Sequence, residues 1–130
     1  MTMTYPRAFP AVQGSILVLE DDSDLASLLR DVLTMTGYDV RLARTVIDAA
    51  RALEEVSIAA AVLDWHVDRS TAEEIATSLR DLHVPYVFAS GTDQSAVPNE
   101  HRWAPFFSKP FPITALIDAL EAVRCNGVPR

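Results

Sequence analysis

Cysteine and basic side chains are scarce in this 130-residue chain. The single cysteine, Cys125, can form no internal disulfide, and no cysteine cluster of a zinc-binding kind is present. With 18 acidic against 11 basic side chains and a net charge of −7, the chain repels nucleic acid phosphates and anionic lipid. We therefore expect a protein of the reducing cytoplasm that does not bind nucleic acid directly.

Long apolar runs are also missing. Residues 1–14 contain two prolines and a glycine but no continuous apolar stretch, so neither a signal peptide nor a membrane span is predicted. The length allows one domain with a proper core. We predict an extended lead-in over residues 1–14, one domain over 15–124 and a tail over 125–130. That tail is too short for a DNA-binding or enzymatic module, so we expect a stand-alone domain without membrane association.

Five short apolar runs predict β-strands. Most consist of branched and small apolar residues without alternation, which is typical of strands buried on both faces of a parallel sheet. The second run alternates, as expected nearer a sheet edge. The predicted strands cover residues 15–19, 38–43, 58–63, 84–89 and 104–108.

Helical apolar spacing separates these strands. A first helix begins at a cap on Ser23 or Asp24 and stops at Gly37. Thr45 is expected to cap a second helix, and Thr71 with Glu74 forms a capping box for a third. The inward residues are predicted to be Ile47, Ala50, Leu53 and Val56 in the second helix, and Ile75, Ala76, Leu79 and Leu82 in the third.

The remaining helical segments differ in strength. Residues 92–102 are polar, include a proline and show no apolar stripe, so the fourth helix is predicted to be short or degenerate. Pro112 at a first-turn position opens a last helix that ends at Asn126–Gly127. The alternation of strands and helices predicts an α/β fold. We expect a doubly wound, five-stranded parallel sheet in the flavodoxin-like order 2-1-3-4-5, with helices on both faces.

Polar side chains follow the strands where each strand ends. Glu20 and Asp21 follow the first strand, Asp64 the third, Ser90 the fourth and Lys109 the fifth. Because parallel strands end at one sheet edge, these groups should converge beside the first and third strands. Three carboxylates about 4 Å apart repel by roughly 4 kcal/mol per pair at an effective dielectric constant near 20. We therefore expect a cation there, and all-oxygen ligands favour Mg²⁺ or Mn²⁺.

The same groups can bind a phosphoryl group. A metal ion, the ammonium of Lys109 and the hydroxyl of Ser90 would all contact its oxygens. A carboxylate in such a site can itself be the nucleophile and form an acyl phosphate. Asp64 is the best placed, because it stands alone after a central strand, whereas Glu20 and Asp21 are paired and suit a metal.

Four segments together resemble the receiver domain of two-component response regulators: residues 16–22, 62–64, 88–91 and 106–111. The resemblance runs from about Ser15 to Val123. It implies that Asp64 is phosphorylated by a histidine kinase or a histidine phosphotransfer protein. It also implies a magnesium site in which Asp21 binds directly, Glu20 binds through water and the backbone carbonyl of His66 contributes.

The resemblance extends to the residues around the phosphoryl group. It implies that Ser90 and Lys109 hold the phosphoryl oxygens, and that Phe106 is the aromatic side chain that moves when Ser90 shifts. A cis peptide bond is implied between Lys109 and Pro110. We further hypothesise that His66, two residues after Asp64, affects how readily water reaches the acyl phosphate.

The chain also departs from the receiver pattern. Most receivers have a proline four residues and a glycine eight residues after the phosphorylated aspartate, and this chain has Asp68 and Ala72 there. The interval from Asp64 to Ser90 is short, which is similar to a subgroup of free-standing receivers. These departures bear on the output surface more than on the chemistry.

The expected function is therefore a phosphorylation-dependent switch and not an enzyme, apart from self-phosphorylation by small phosphodonors and autodephosphorylation. Its output would be a contact with an unknown protein partner or with a second copy in a homodimer. One alternative is a constitutive pseudo-receiver that binds partners without phosphorylation. Another is a magnesium-dependent aspartyl phosphatase of the haloacid dehalogenase type. That class needs a second carboxylate two residues after the nucleophile, where this chain has His66.

Overall fold

The computed structural model describes residues 14–129, so the predicted lead-in lies outside the described residues except for Gly14. Seven strands and four α-helices follow one another along the described chain. The strands are β1 (Ser15–Leu19), β2 (Val40–Ala43), β3 (Ile58–Leu63), β4 (His66–Val67), β5 (Ser70–Thr71), β6 (Tyr86–Ser90) and β7 (Phe106–Ser108). The helices are α1 (Ser23–Met35), α2 (Val46–Glu55), α3 (Glu73–Asp81) and α4 (Ile113–Asn126).

Five strands form one parallel sheet in the order β2-β1-β3-β6-β7. This confirms the predicted order 2-1-3-4-5, because β4 and β5 form a separate antiparallel hairpin. Leu19 pairs with Leu63, and Leu63 pairs with Phe88. At the far side Ser90 pairs with Ser108. Because all five strands run in the same direction, the residues at and just after their carboxyl ends lie at one edge of the sheet.

The helices cover both faces of the sheet, as predicted. Successive side chains of a strand point to opposite faces. Leu17 and Leu19 of β1 pack with α2 and α3, whereas Ile16 and Val18 pack with α1 and α4. Every residue of β6 is buried, as expected for an inner strand covered on both faces.

The helix starts were predicted with mixed success. Thr45 does cap α2, where its side chain accepts a hydrogen bond from the Asp48 N–H. The cap of α1 is Asp22 rather than Ser23 or Asp24, because its carboxylate accepts from two backbone N–H groups of the first turn. The predicted capping box of α3 is wrong. Thr71 belongs to β5, and the residue before α3 is Ala72, which has no side-chain cap.

Some inward residues were also predicted wrongly. Ile47 is 70% exposed and Leu82 is 58% exposed, and Ala50 is exposed too. Ala49 and Ala52 of α2 are fully buried against the sheet, and the predicted Leu53 and Val56 are partly buried against the same core. Small side chains let this helix lie close to the strands, and they carry little hydrophobic signal in the sequence.

The segment between β6 and β7 contains two 3₁₀ turns, Gln94–Ala96 and Asn99–His101, and no α-helix. The prediction of a short or degenerate helix there is confirmed. The guanidinium of Arg102 donates to the carbonyl oxygens of Val97 and Ser95, at 2.8 and 3.0 Å. These hydrogen bonds stabilise a segment that lacks the continuous backbone hydrogen bonds of an α-helix.

Two smaller features complete the fold. The peptide bond between Lys109 and Pro110 is cis. Within residues 14–129, every helix falls short of the length and apolar character that crossing a bilayer requires.

Candidate functional site

The site lies where β1, β3, β6 and β7 end. Glu20 and Asp64 are the residues that follow the paired ends of β1 and β3, and both are buried. Lys109 follows β7, and its backbone N–H donates to the Ser90 carbonyl of β6 at 2.9 Å. The sheet register therefore brings together four of the five strand-end positions that the sequence marked, and Asp21 lies next to Glu20.

Lys109 connects the two buried carboxylates. Its Nζ lies 2.8 Å from Glu20 Oε1 and 2.8 Å from Asp64 Oδ2. The side chains of Glu20 and Asp64 are 2% and 6% exposed, whereas that of Lys109 is 25% exposed. A half-buried ammonium thus reaches from the solvent edge to two carboxylates that have little access to water.

The charges in this cluster depend strongly on one another. Burial raises the pKa of Glu20 to about 7, although its hydrogen bond to Lys109 opposes that change. Burial alone would lower the pKa of Lys109, but its contacts with Asp64 and Glu20 outweigh burial and raise that pKa. The two carboxylates therefore hold the lysine in its charged form, while one positive charge only partly offsets the cost of burying Glu20.

Asp21 differs from the other two acids because it is exposed. Its Oδ2 accepts a hydrogen bond from the backbone N–H of Asp68 at 2.9 Å. Its backbone carbonyl accepts from the guanidinium of Arg44 at 3.1 Å. Two loops, after β2 and after β3, therefore hold the short turn that carries Asp21.

The three acids match the composition and spacing of a set of metal ligands. Glu20, Asp21 and Asp64 each offer one carboxylate oxygen, and these oxygens lie within 4.8 Å of one another. Hard oxygen donors with two or three negative charges suit Mg²⁺, which keeps part of its water shell. The donor set therefore fits the divalent cation that the sequence predicts.

The backbone around His66 is consistent with a fourth oxygen ligand. The Ala72 N–H donates to the Trp65 carbonyl at 2.8 Å. Hydrogen-bonded and non-hydrogen-bonded pairs alternate along an antiparallel ladder. The adjacent pair, His66 with Thr71, is therefore non-hydrogen-bonded, and the hairpin leaves the His66 carbonyl available. The His66 side chain is exposed.

A cavity of about 370 Å³ opens beside Asp64, lined by Asp64, His66, Ser90, Gly91, Thr92 and Lys109. Ser90 is fully buried, and its Oγ accepts a hydrogen bond from the Thr92 N–H at 3.3 Å. The hydroxyl keeps its proton available for another acceptor. Asp64, Lys109 and Ser90 thus share one small polar cavity.

Phe106 lies outside this cavity. Its side chain is half-buried, and its ring centroid lies 6.2 Å from that of Phe88. Phe88 also contacts Trp65, the neighbour of Asp64, edge to face at 5.8 Å. Phe106 therefore adjoins the site through a buried aromatic ring and not through contact with the reacting groups.

Two residues near the acidic cluster were missed at the level of sequence. Arg44 acts on a backbone carbonyl, and Asp68 acts through its own backbone N–H. Neither interaction leaves a pattern in residue type or spacing. Only the proximity of the loops in the folded chain reveals them.

Comparison with known proteins supports the fold. No protein-family model matches the chain, and no curated protein matches it. Solved structures do match. The non-phosphorylated HemR receiver domain from Leptospira biflexa is 24% identical with a TM-score of 0.75, and covers 89% of this chain and 98% of its own.

Two further matches have groups bound. A Burkholderia pseudomallei response regulator with a phosphorylated aspartic acid, a calcium ion and citrate is 20% identical, with a TM-score of 0.74 over 86% of this chain and 69% of its own. The Thermotoga maritima response regulator TrrA in complex with Mg²⁺–BeF is 18% identical, with a TM-score of 0.72 over 84% of this chain and 97% of its own. These likenesses confirm that the chain has the fold of receiver domains.

Proposed function

We propose that this protein is a phosphoacceptor receiver of a two-component or phosphorelay system. It takes a phosphoryl group from a histidine kinase or histidine phosphotransfer protein onto Asp64, with Mg²⁺ or Mn²⁺ bound by Glu20, Asp21, Asp64 and the His66 carbonyl. The observation that carries this proposal is the contact of Lys109 with both Glu20 and Asp64 at a cavity that also contains Ser90. The receiver-domain fold supports it.

The chemistry is the transfer of a phosphoryl group to a carboxylate. An oxygen of Asp64 forms a bond to phosphorus while the bond from phosphorus to the imidazole nitrogen of the donor breaks. Lys109 lies 2.8 Å from Asp64 Oδ2 before transfer and would then pair with a phosphoryl oxygen. Ser90 donates its hydroxyl proton to another phosphoryl oxygen. A bound divalent cation would neutralise charge on the phosphoryl group and on the carboxylates.

The known structures supply independent support. One response regulator with this fold was solved with a phosphorylated aspartic acid and a calcium ion, and another in complex with Mg²⁺–BeF. The acidic cluster of this chain offers three carboxylate oxygens within 4.8 Å for such an ion. We therefore extend metal binding and aspartate phosphorylation to this chain as parts of the proposal.

Apart from self-phosphorylation and autodephosphorylation, we propose no enzymatic activity. An aspartyl phosphatase of the haloacid dehalogenase type would need a second carboxylate two residues after the nucleophile, and that position carries the exposed His66. We propose that the output is a change in contacts with a protein partner or a second copy. Movement of Ser90 towards the phosphoryl group would leave room for Phe106 to turn inward and alter the surface around β7.

The decisive experiment is intact mass spectrometry after incubation with Mg²⁺ and either acetyl phosphate or phosphoramidate. One added phosphoryl group is expected on the native chain and none on Asp64→Asn. Without Mg²⁺, or in Asp21→Asn, the adduct should form much more slowly.

Two other results would contradict the proposal. Absence of an adduct on the native chain, together with absence of Mg²⁺ binding by calorimetry, would indicate a constitutive interaction module. Sustained hydrolysis of p-nitrophenyl phosphate that depends on Asp64 would indicate a phosphatase.

A further inference from the structure

A two-residue turn connects β4 and β5 beside the acidic cluster. Val67 pairs with Ser70, so Asp68 and Arg69 form the turn of a tight hairpin. The φ angle of Asp68 is +57°, in the left-handed region that Gly, Asn and Asp adopt most readily. Such turns of two residues commonly place their first residue there. This conformation determines where the N–H of Asp68 points.

The N–H of Asp68 points at Asp21, the exposed acid of the cluster. It donates to Asp21 Oδ2 at 2.9 Å, across 47 residues of sequence. A hydrogen bond from a backbone N–H to a carboxylate is charge-assisted and directional. The carboxylate of Asp21 is therefore held with one oxygen on the hairpin.

The other two acids have their own restraints. Glu20 accepts from the Asp22 N–H at 3.1 Å and pairs with Lys109, as does Asp64. Asp21 is exposed, and among the hydrogen bonds found in residues 14–129 its carboxylate accepts only that of Asp68. Without this bond its rotamer would be free, and binding a metal would have to order it.

We propose that the backbone N–H of Asp68 is a positioning group for the metal site: it orients Asp21 for the divalent cation. This inference rests on the proposed function, because it presupposes that Asp21 binds Mg²⁺. Hydrogen-bond partners of metal ligands typically change metal affinity 10- to 100-fold when removed. The carboxylate of Asp68 has no part in this role.

The role explains a departure from the receiver pattern at this position. A proline there has no N–H and is confined to φ near −65°. It could neither donate to Asp21 nor adopt the observed φ of +57°. Asp68, in the place of a proline, therefore supplies both a hydrogen-bond donor and a left-handed turn.

The test measures Mg²⁺ affinity by isothermal titration calorimetry, with urea unfolding in EDTA as the measure of stability. The main variant replaces Asp68 with its α-hydroxy acid analogue, so that an ester oxygen stands in place of the N–H while the side chain is unchanged. Asp68→Pro is the genetic counterpart. Asp68→Asn and Asp68→Gly both keep the N–H and tolerate a positive φ, and they serve as the matched controls.

We expect the ester variant and Asp68→Pro to bind Mg²⁺ at least about tenfold more weakly, and the two controls to bind as the native chain does. Unchanged affinity in the ester variant would overturn the inference, even if that variant unfolded at lower urea. Weakened affinity in Asp68→Asn would also overturn it, because the side-chain charge would then be responsible. If the native chain bound no Mg²⁺, the proposed function itself would fail.

Discussion

At the scale of single residues, Lys109 decides the electrostatic balance of the site. It pairs with two carboxylates that are almost fully buried. Removing one partner of a buried charge cluster leaves the others uncompensated, which is strongly destabilising. Because the lysine side chain is 25% exposed, solvent screens the cluster and the loss is smaller than for a fully buried pair.

We predict that Lys109→Met lowers the free energy of unfolding by about 2 kcal/mol in EDTA at pH 7.5. Saturating Mg²⁺ should restore most of that loss, since a divalent cation among the same carboxylates replaces the missing charge. Urea denaturation with and without Mg²⁺ measures both quantities. Arg51→Met, which removes an exposed pair with Asp48, is the control and should cost little. An equal loss for Lys109→Met with and without Mg²⁺ would argue against a metal at this cluster.

Residues at strand ends could be predicted from sequence because the end of an apolar run marks the end of a buried strand. Glu20, Asp64, Ser90 and Lys109 each follow an apolar run, and the structure brings them together. The contribution of Asp68 could not be predicted, because its donor is a backbone group that every residue except proline carries.

At the scale of elements, the segment between β6 and β7 depends on buried polar contacts. His101 is fully buried, and its Nδ1 lies 2.6 Å from the hydroxyl of Tyr86. Its Nε2 lies 3.4 Å from Thr77 Oγ1. Burial lowers the pKa of His101, with Glu100 and Glu73 opposing and Arg80 assisting. The segment is therefore anchored by a histidine that is more stable in its neutral form.

This anchor should make the protein sensitive to acid. The unfolded chain protonates His101 near its ordinary pKa of about 6.5, while the folded protein resists, so stability falls as pH drops below that value. We predict that between pH 7.5 and 5.5 the native chain loses about 1 kcal/mol more than His101→Gln. Urea unfolding at both pH values measures the difference.

A matched control is His83→Asn, at an exposed histidine with a φ of +59°. This variant should follow the native pH dependence. If His101→Gln lost stability in acid as steeply as the native chain, the buried histidine would not be the source of the sensitivity.

The start of β1 depends on a glycine. Gly14 has a φ of +111°, and a Cβ there would lie 2.6 Å from the Ser57 carbonyl oxygen. Gly37 has a φ of +101° but open space around it, whereas Gly91 has neither a positive φ nor a close neighbour. Alanine variants of the three glycines therefore distinguish the cost of a positive φ from the cost of steric overlap.

We predict that Gly14→Ala lowers the free energy of unfolding by about 2 kcal/mol or more, and Gly37→Ala by about 1 kcal/mol. Gly91→Ala should leave stability nearly unchanged. Thermal or urea unfolding of the three variants gives the ranking. If Gly14→Ala were no worse than Gly37→Ala, the contact with Ser57 would not limit this position.

Element order was easier to predict than element faces. Apolar runs in central strands are unambiguous, and the five main strands appear in the predicted order. The inner face of α2 was predicted only in part: Leu53 and Val56 pack against the core as expected, but Ala49 and Ala52 are the fully buried residues and the larger Ile47 is exposed. The hairpin of β4 and β5 was missed because strands of two residues have no periodicity.

At the scale of the whole molecule, a likeness in fold exists without a close likeness in sequence. The chain shares 24% or less of its residues with the three structures described above, yet the TM-scores are 0.72 to 0.75. What is retained is the alternation of strands and covering helices. That alternation depends on residue class and spacing, which change more slowly than residue identity.

Metal binding should stabilise the whole domain, because a ligand that binds only the folded state shifts the unfolding equilibrium. At a Mg²⁺ concentration ten times the Kd, the gain is about 1.4 kcal/mol. We predict a rise in Tm with Mg²⁺ that is absent in Asp21→Asn. Differential scanning calorimetry over a Mg²⁺ series measures it. The same rise in the variant would indicate nonspecific binding to the acidic surface.

The contact of Lys109 with two carboxylates has a consequence for chemical labelling. Lys109 is the only lysine of the chain, so a reagent that acylates amines has one side-chain target, and that target lies in the site. Its raised pKa and ion pairs make the free amine scarce, and acylation should be slow. The rate of acylation at this one position would therefore report on occupancy of the site in a mixture, without any engineered probe.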